Sequence, residues 1–217
     1  MKSPVAVSLM PLENRRETIV GLAAAAEKRG YAAIFLPETW AHDVTVLLAE
    51  AAVRTERIGL GTGILSVWGR SPGTLAMAAA TLHDVSGGRF TLGLGASTAQ
   101  LVEGLHDTPF RDPFDRMRRT LVQVRALLAG ERLPLGAAGA RPLRLNLAPH
   151  AGLPIHLAGL APETIRLAGE LADGWLPFLF PRSRLDEGRA LLREGAARVG
   201  PARALPAIAP SLPTVVA

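Results

Sequence analysis

The stretch Leu60-Gly-Thr-Gly-Ile-Leu-Ser-Val-Trp-Gly-Arg-Ser-Pro72, with its continuation Ser86-Gly-Gly-Arg-Phe-Thr-Leu-Gly-Leu-Gly-Ala-Ser97, decides how this chain folds. Two short apolar runs, at 58–64 and 90–94, are glycine-marked: Gly59, Gly61 and Gly63 alternate in the first, and the second holds Gly93 and is followed by Gly95. Between them lies an alanine-rich segment at 72–85 that opens on Pro72. Proline in a first turn and apolar residues at helical spacing predict a helix there, and Gly87-Gly88 predicts the turn that ends it. Strand, helix and strand within about 30 residues form one crossover unit, which obliges the two strands to run parallel.

The same unit recurs on both sides. Strands are predicted at 5–9, 32–36, 154–158, 174–178 and 213–217, and helices at 12–29, 43–55, 113–129, 162–172 and 183–199. Gly30 stops the first helix, and Asp43 is placed to cap the second. Residues 98–153 break the rhythm: one helix is followed by a Gly/Ala/Pro/Arg-rich stretch through 130–153, read as an excursion over one end of the sheet. Repeated βα units predict an α/β fold with a parallel sheet, and seven strand candidates leave it one short of a closed eightfold barrel.

Composition narrows the function classes. The 217 residues are 48% hydrophobic and 20% charged, as in an ordinary folded protein with a sizeable core. The absence of cysteine excludes disulfides, thiolate metal sites and cysteine nucleophiles. No run approaches the roughly 20 apolar residues of a membrane span. Met1-Lys-Ser-Pro4 leads directly into an apolar strand without a signal-peptide pattern, so a cytoplasmic protein is expected. The net charge of +5 is carried by scattered arginines such as Arg189, Arg193 and Arg198, with Lys2 and Lys28 the only lysines and aromatics at 5%. That pattern reads as solvated helix faces, so neither nucleic acid nor a membrane is an expected partner.

In parallel α/β proteins ligands bind at the carboxyl ends of the strands. The residues to inspect are therefore Met10, Glu38-Thr39-Trp40, Gly63 to Ser66, Gly95 to Thr98, Gly159 to Pro162 and Phe178 to Phe180. Gly61, Gly63, Gly93 and Gly95 cluster at two adjacent strand ends and point to a flat ligand lying close to the backbone. Neither run matches the dinucleotide fingerprint, and no Walker A sequence occurs. Gly159-Leu-Ala-Pro162 opens a helix whose free N–H groups suit a phosphate, though an ordinary strand-to-helix turn has the same look. Gly95-Ala-Ser97-Thr-Ala99 only approximates a nucleophile elbow, and of the later histidines His150 and His156 the second reads as a core residue, so a hydrolase is set aside. His42, His83, His106, His150 and His156 form no paired ligand motif, and no metal is expected.

The two opening blocks, together with Pro154-Ile-His-Leu-Ala-Gly-Leu-Ala-Pro162, Leu167-Ala-Gly-Glu-Leu-Ala-Asp-Gly-Trp175 and Leu36-Pro-Glu-Thr-Trp40, resemble the bacterial luciferase-like superfamily. The Leu-Pro-Glu-Thr-Trp segment is more similar to its deazaflavin (coenzyme F420)-dependent branch. The resemblance implies one (β/α)8 TIM-barrel-type domain over 1–217, C-terminally incomplete at about seven strands, with 98–153 inserted between the fourth and fifth strands. It implies a cytoplasmic oxidoreductase moving a hydride between a reduced deazaflavin and a small-molecule substrate. The ring would rest on a non-proline cis peptide joining Gly63 to Ile64, with Leu65 beside it. The cofactor phosphate falls on Gly159, Leu160 and Ala161, and Ser97 lies near the ring or its side chain. Glu38, Thr39 and Trp40 occupy the catalytic position, and Trp68, Arg70, Trp175 and Phe178 line the substrate pocket. FMN is the alternative cofactor, which would make the protein a luciferase-like monooxygenase. A non-catalytic flavin-binding or structural short form is the third reading.

Many relatives carry Asp-His where this chain has Glu38-Thr39, and a threonine hydroxyl does not donate protons near neutral pH as histidine does. The family also continues through an eighth strand, so a truncated chain or a short form is expected. A homodimer is expected too, with the helices at 43–55 and 72–85 offering Val44, Leu47, Leu48, Ala51, Ala76, Ala79 and Ala80 either to a partner or to the sheet.

Overall fold

A computed structural model describes residues 4–9, 13–136 and 139–212, so Met10 and the strand expected at 213–217 lie outside the described residues. The sheet runs in the order β1 (Ala6–Ser8), β2 (Ala33–Leu36), β3 (Gly59–Thr62), β5 (Phe90–Gly95), β6 (Ile155–Ala158), β7 (Gly174–Leu176) and β8 (Ala207–Ile208). A two-residue strand, β4 (Leu65–Ser66), pairs with the end of β5. Every pairing is parallel. The fold is TIM-barrel-like. Among the described residues β1 and β8 are its two edges. The expected fourth and fifth strands correspond to β5 and β6, because β4 was not resolved from the sequence as a separate strand.

The helices are α1 (Arg16–Lys28), α2 (Val44–Val53), α3 (Pro72–Val85), α4 (Ala99–His106), α5 (Pro113–Leu128), α6 (Pro162–Leu171) and α7 (Leu185–Val199). Helix α3 has the predicted bounds, with Ser71 Oγ accepting from Thr74 N–H as its cap. Helix α1 starts later than expected because Glu13 turns the chain ahead of it, accepting the Arg15 N–H at 2.9 Å. The insertion holds two helices rather than one. The missed helix, α4, has only eight residues; Leu101, Val102 and Leu105 stand at helical spacing in it, but Val102 alone is buried, and Thr98 caps it.

Strand alternation sorts the sheet into two faces. Ile34, Leu36, Leu60, Leu92, Leu94, Ile155, Leu157 and Trp175 are buried in the layer between sheet and helices. The register sets Ala33, Phe35, Gly61, Gly93, His156 and Gly174 on the other, concave face. Phe35 on β2 and His156 on β6 are three strand spacings apart, about 14 Å in a flat sheet. Their ring centroids nevertheless lie 6.2 Å apart and nearly parallel, so the sheet is strongly rolled.

That rolling corrects the reading of the glycines. A Cβ at Gly61 would strike the Phe35 ring, one at Gly93 would meet the Thr62 carbonyl oxygen, and one at Gly95 would lie 3.2 Å from the Ile64 side chain. These glycines make room for the chain itself. The residues proposed for a dimer face are corrected as well. Val44, Leu47, Leu48, Ala51, Ala76, Ala79 and Ala80 are all buried in the core, so they face the protein interior.

Candidate functional site

Because all strands are parallel, their carboxyl ends share one side of the sheet, and the candidate residues lie there. Gly63 and Ile64 form a main-chain bulge between β3 and β4, joined by the cis peptide bond named above. The end of β2 straps it: Gly63 N–H donates to Leu36 O at 2.8 Å, and Glu38 N–H donates to Ile64 O at 3.2 Å. On its far side Val67 N–H donates to Gly95 O at 3.0 Å. The bulge is thus held from both neighbouring strands.

Glu38 does more than follow β2. Its carboxylate takes both terminal nitrogens of Arg70, with Nη2 at 2.8 Å from Oε2, and accepts the Val44 N–H at 3.2 Å. Arg70 Nη2 also reaches Asp43 Oδ2 at 2.8 Å. Asp43 caps α2 by accepting the Thr45 N–H and hydroxyl at 2.9 and 2.6 Å. The Glu38 hydrogen bond outweighs burial and raises the Arg70 guanidinium above its usual pKa. Burial pushes Asp43 up, but hydrogen bonds from Thr45 and Arg70 together hold its carboxyl below the usual range. The side chains of Glu38 and Arg70 are each only 13% exposed, so this is a largely buried, bidentate pair. The sequence placed Glu38 in catalysis and Arg70 against substrate. In the structure they hold each other, and they tie the ends of β2 and β4 to the start of α2. Asp43, read only as a cap, is the third member.

Ser97, after β5, has φ of 64° in the left-handed region, and its hydroxyl makes no hydrogen bond among the described residues. After β6 the chain runs through Gly159, Leu160 and Ala161 into α6. The Thr164 side chain fills the place where a Cβ on Gly159 would sit. Ala161 is the N-cap residue and offers no side-chain cap, so the helix start is left to other partners. Leu160 is about half exposed.

Trp175 requires a correction. It is fully buried on the helix side of the sheet, edge-on to Phe180 at 5.2 Å, with its Nε1–H donating to Gly159 O at 2.8 Å. It supports the Gly159–Ala161 turn from behind and does not line an open pocket. Leu65 is also fully buried and paired with Leu94 in the sheet, so it does not face an open pocket. Trp40 and Phe178, by contrast, are exposed beyond the strand ends. Thr39 lines a small cleft with His42, whose Nε2 lies 2.8 Å from Asn14 O. Trp68 packs on Phe110 at 5.7 Å and beneath the Arg116 guanidinium at 5.0 Å. Sequence reading missed Phe110 and Arg116 because they sit in the insertion, where no strand end drew attention to them. His156, read as a core residue, is partly buried on the concave face, where it stacks on Phe35. Burial pushes its imidazole below the usual pKa, against a smaller opposing effect of Asp173, and Nδ1 is buried without a partner.

Known proteins resemble this chain. The model of a family described as luciferase-like monooxygenase matches residues 3–217. The chain is 37% identical over 208 residues to a Mycobacterium tuberculosis protein named as a coenzyme F420-dependent oxidoreductase, covering 89% of this chain and 59% of that one. It is 30% identical over 177 residues to an F420-dependent glucose-6-phosphate dehydrogenase of Beutenbergia cavernae, covering 73% of this chain and 51% of that one. The chain therefore spans between half and three-fifths of the length of these curated relatives. The F420-dependent tetrahydromethanopterin reductase of Methanopyrus kandleri superposes with a TM-score of 0.81 at 21% identity, over 97% of this chain and 65% of that one, which is a likeness of fold.

Proposed function

The chain belongs to the luciferase-like monooxygenase family, and on that premise we propose that it is an oxidoreductase that binds a deazaflavin of the coenzyme F420 type at the carboxyl ends of its strands. The observation that carries this reading is the pairing, on one side of the sheet, of a strapped main-chain bulge at Gly63–Ile64 with an uncapped helix start at Ala161. A flat ring fits against main chain, and a phosphate fits free N–H groups at the positive end of a helix dipole. The named activities of the relatives from Mycobacterium tuberculosis and Beutenbergia cavernae support the deazaflavin over FMN.

Bound there, a reduced deazaflavin supplies a hydride to a small organic substrate. This chain's own residues position the ring and shape its surroundings. Gly63 and Ile64 present the supporting main chain. The Glu38–Arg70–Asp43 cluster fixes the strap that holds it. Gly159, Leu160 and Ala161 hold the phosphate, with Trp175 anchoring the Gly159 carbonyl. Trp40 and Phe178 stand at the open end where substrate enters. Glu38 is committed to Arg70, so its role is positioning rather than proton transfer.

A homodimer is proposed on the outward faces of α2 and α3, where Val46, Val53, Met77 and Val85 are exposed. A monomer by light scattering at micromolar concentration would remove it. The cofactor is tested by titrating the purified chain with coenzyme F420 and with FMN and following the absorbance of each ring. Saturable binding of the deazaflavin with weaker binding of FMN is expected. Preference for FMN, with oxygen uptake once it is reduced, would replace the proposal with the monooxygenase reading. Binding of neither would end it.

A further inference from the structure

A cleft of about 470 Å³ opens between the turn after β4 and the start of α5, lined by Trp68, Arg111, Asp112, Asp115, Arg116 and Arg119. We propose that this cleft binds the carboxylate- or phosphate-bearing end of a small-molecule ligand through Arg111, Arg116 and Arg119, with Trp68 as its wall. Only the question of which molecule brings the anion rests on the deazaflavin reading.

About half of the arginines in this chain have a carboxylate partner, and the cleft gathers three that do not. Arg15, Arg70, Arg118, Arg125, Arg166 and Arg184 each meet a carboxylate within hydrogen-bond distance. Among the described residues, Arg111, Arg116 and Arg119 meet none, although Asp112 and Asp115 line the same cleft. The chain thus gathers three guanidiniums and leaves their forks unanswered. Like charges gathered in a partly desolvated place repel, and an incoming anion reverses the sign of that interaction. Arg116 registers the cost: burial, and after it the charge of Arg119, hold its pKa below the usual value.

Arg116 is also already oriented. Its Nε–H donates to Val67 O at 3.1 Å, and its guanidinium lies over the Trp68 ring at 5.0 Å. A planar fork fixed at one nitrogen and stacked on an indole loses little freedom when its remaining N–H groups take a carboxylate or phosphate. Trp68 Nε1 is itself buried without a partner, a further donor left unused at this wall. The dipole of the 16-residue helix α5, which starts at Pro113, adds its positive end. Position supplies the last element. Val67 and Trp68 directly follow β4, so the cleft opens at the same end of the sheet as the bulge.

The test uses the full chain and two simple anions, pyrophosphate and tricarballylate, titrated at fixed low salt by calorimetry. Saturable binding is expected, weakened at least tenfold in R116Q and in the doubly exposed R111Q/R119Q variant. R193Q, which removes a cation on the outside of α7, should bind as the parent does. Having two variants guards against misfolding, because Arg111 and Arg119 are exposed and their loss leaves the core intact. Absence of saturable binding, or equal affinity in all four proteins, overturns the proposal. The source of the anion is read by comparing coenzyme F420, which ends in acidic groups, with its uncharged ring–ribityl core. If R116Q weakens the coenzyme and spares the core, the cofactor brings the anion. If both bind R116Q normally while pyrophosphate still binds the cofactor-loaded parent, the substrate brings it. Either result upholds the site. Failure of any ring to bind would remove the proposed function and leave the anion titration standing on its own.

Discussion

The two ends of the sheet use the same residue types for opposite purposes. At the amino ends Glu27, Arg89 and Asp173 are spent on the chain's own backbone. Glu27 accepts the N–H groups of Arg57 and Ile58 at 2.7 and 2.8 Å, just ahead of β3. Arg89 donates to the carbonyls of Ser86, Ile58, Ala52 and Thr55 and to the Thr55 hydroxyl, all within 3.0 Å. Asp173 accepts the Ile155 N–H and ties it to Arg125. At the carboxyl ends one ion cluster holds a strap. The Ser97 hydroxyl, the start of α6 and the arginines beside Trp68 are left unanswered. Satisfied groups stabilise a fold, and unsatisfied ones wait for a ligand. On the proposed function, stability and binding are therefore assigned to opposite ends of the same strands.

Arg89→Leu should break that division most severely. It strips partners from four carbonyls and a hydroxyl in a partly buried place, and we expect a loss of about 3 kcal/mol or more. Urea unfolding measures it. A change in cofactor affinity at temperatures where the variant is folded should be small. A large loss of affinity with little loss of stability would show that the two ends are not separate in purpose.

Glu38→Gln probes the other end. The variant keeps the shape but leaves Arg70 with Asp43 as its only carboxylate and one acceptor fewer, so the strap on Ile64 loosens. We expect roughly a tenfold loss of cofactor affinity and about 1–2 kcal/mol of stability. A Glu38→Gln protein that binds the ring normally would show that the cluster is a stability device like those at the amino ends.

How far the sequence foretold this contrast differs by element. The βα rhythm, the bounds of α3 and the Asp43 cap were legible because they rest on local chemistry: proline in a first turn, paired glycines, apolar spacing. The glycine cluster misled, because the sequence records the lack of a side chain without saying what fills the space. Only the roll of the sheet reveals that Phe35, Ile64 and the Thr62 carbonyl fill it. The Glu38–Arg70 pair spans 32 positions and follows from topology, which no local pattern carries. Trp175 and Phe178 fall in one predicted strand, 174–178, and both are assigned to the substrate pocket by the sequence. Strand alternation turns Trp175 inward to the helices, whereas Phe178 lies past the end of β7 and is exposed.

His156, on the concave face against Phe35, gives a pH test. Burial lowers its pKa in the native state. Above its unfolded value, about 6.5, both states hold a neutral ring and no stability is lost. As pH falls below that value the unfolded chain takes up a proton that the native ring refuses. Stability then declines by at most about 1.4 kcal/mol per pH unit until the native pKa is passed. Denaturation midpoints between pH 7 and 5 should show this slope, and His156→Asn should flatten it. An unchanged slope would place the acid sensitivity in another group.

The smallest effect separates the two purposes most cleanly. Ala161 precedes α6 with extended dihedrals, φ −72° and ψ 142°, suited to a capping residue, yet its methyl caps nothing. Ala161→Asp supplies an acceptor for the first-turn N–H groups and a negative charge at the positive end of the helix. By the ordinary rules it stabilises the protein, by about 1 kcal/mol. The same carboxylate would occupy and repel the place proposed for a phosphate. Ala161→Asp should therefore raise the melting temperature while weakening the cofactor, and Ala161→Ser should raise it by less with a milder loss of binding. If both variants are more stable and bind the cofactor undiminished, alanine at this position carries no functional meaning. The bare start of α6 would then be an ordinary turn, as its sequence alone allowed.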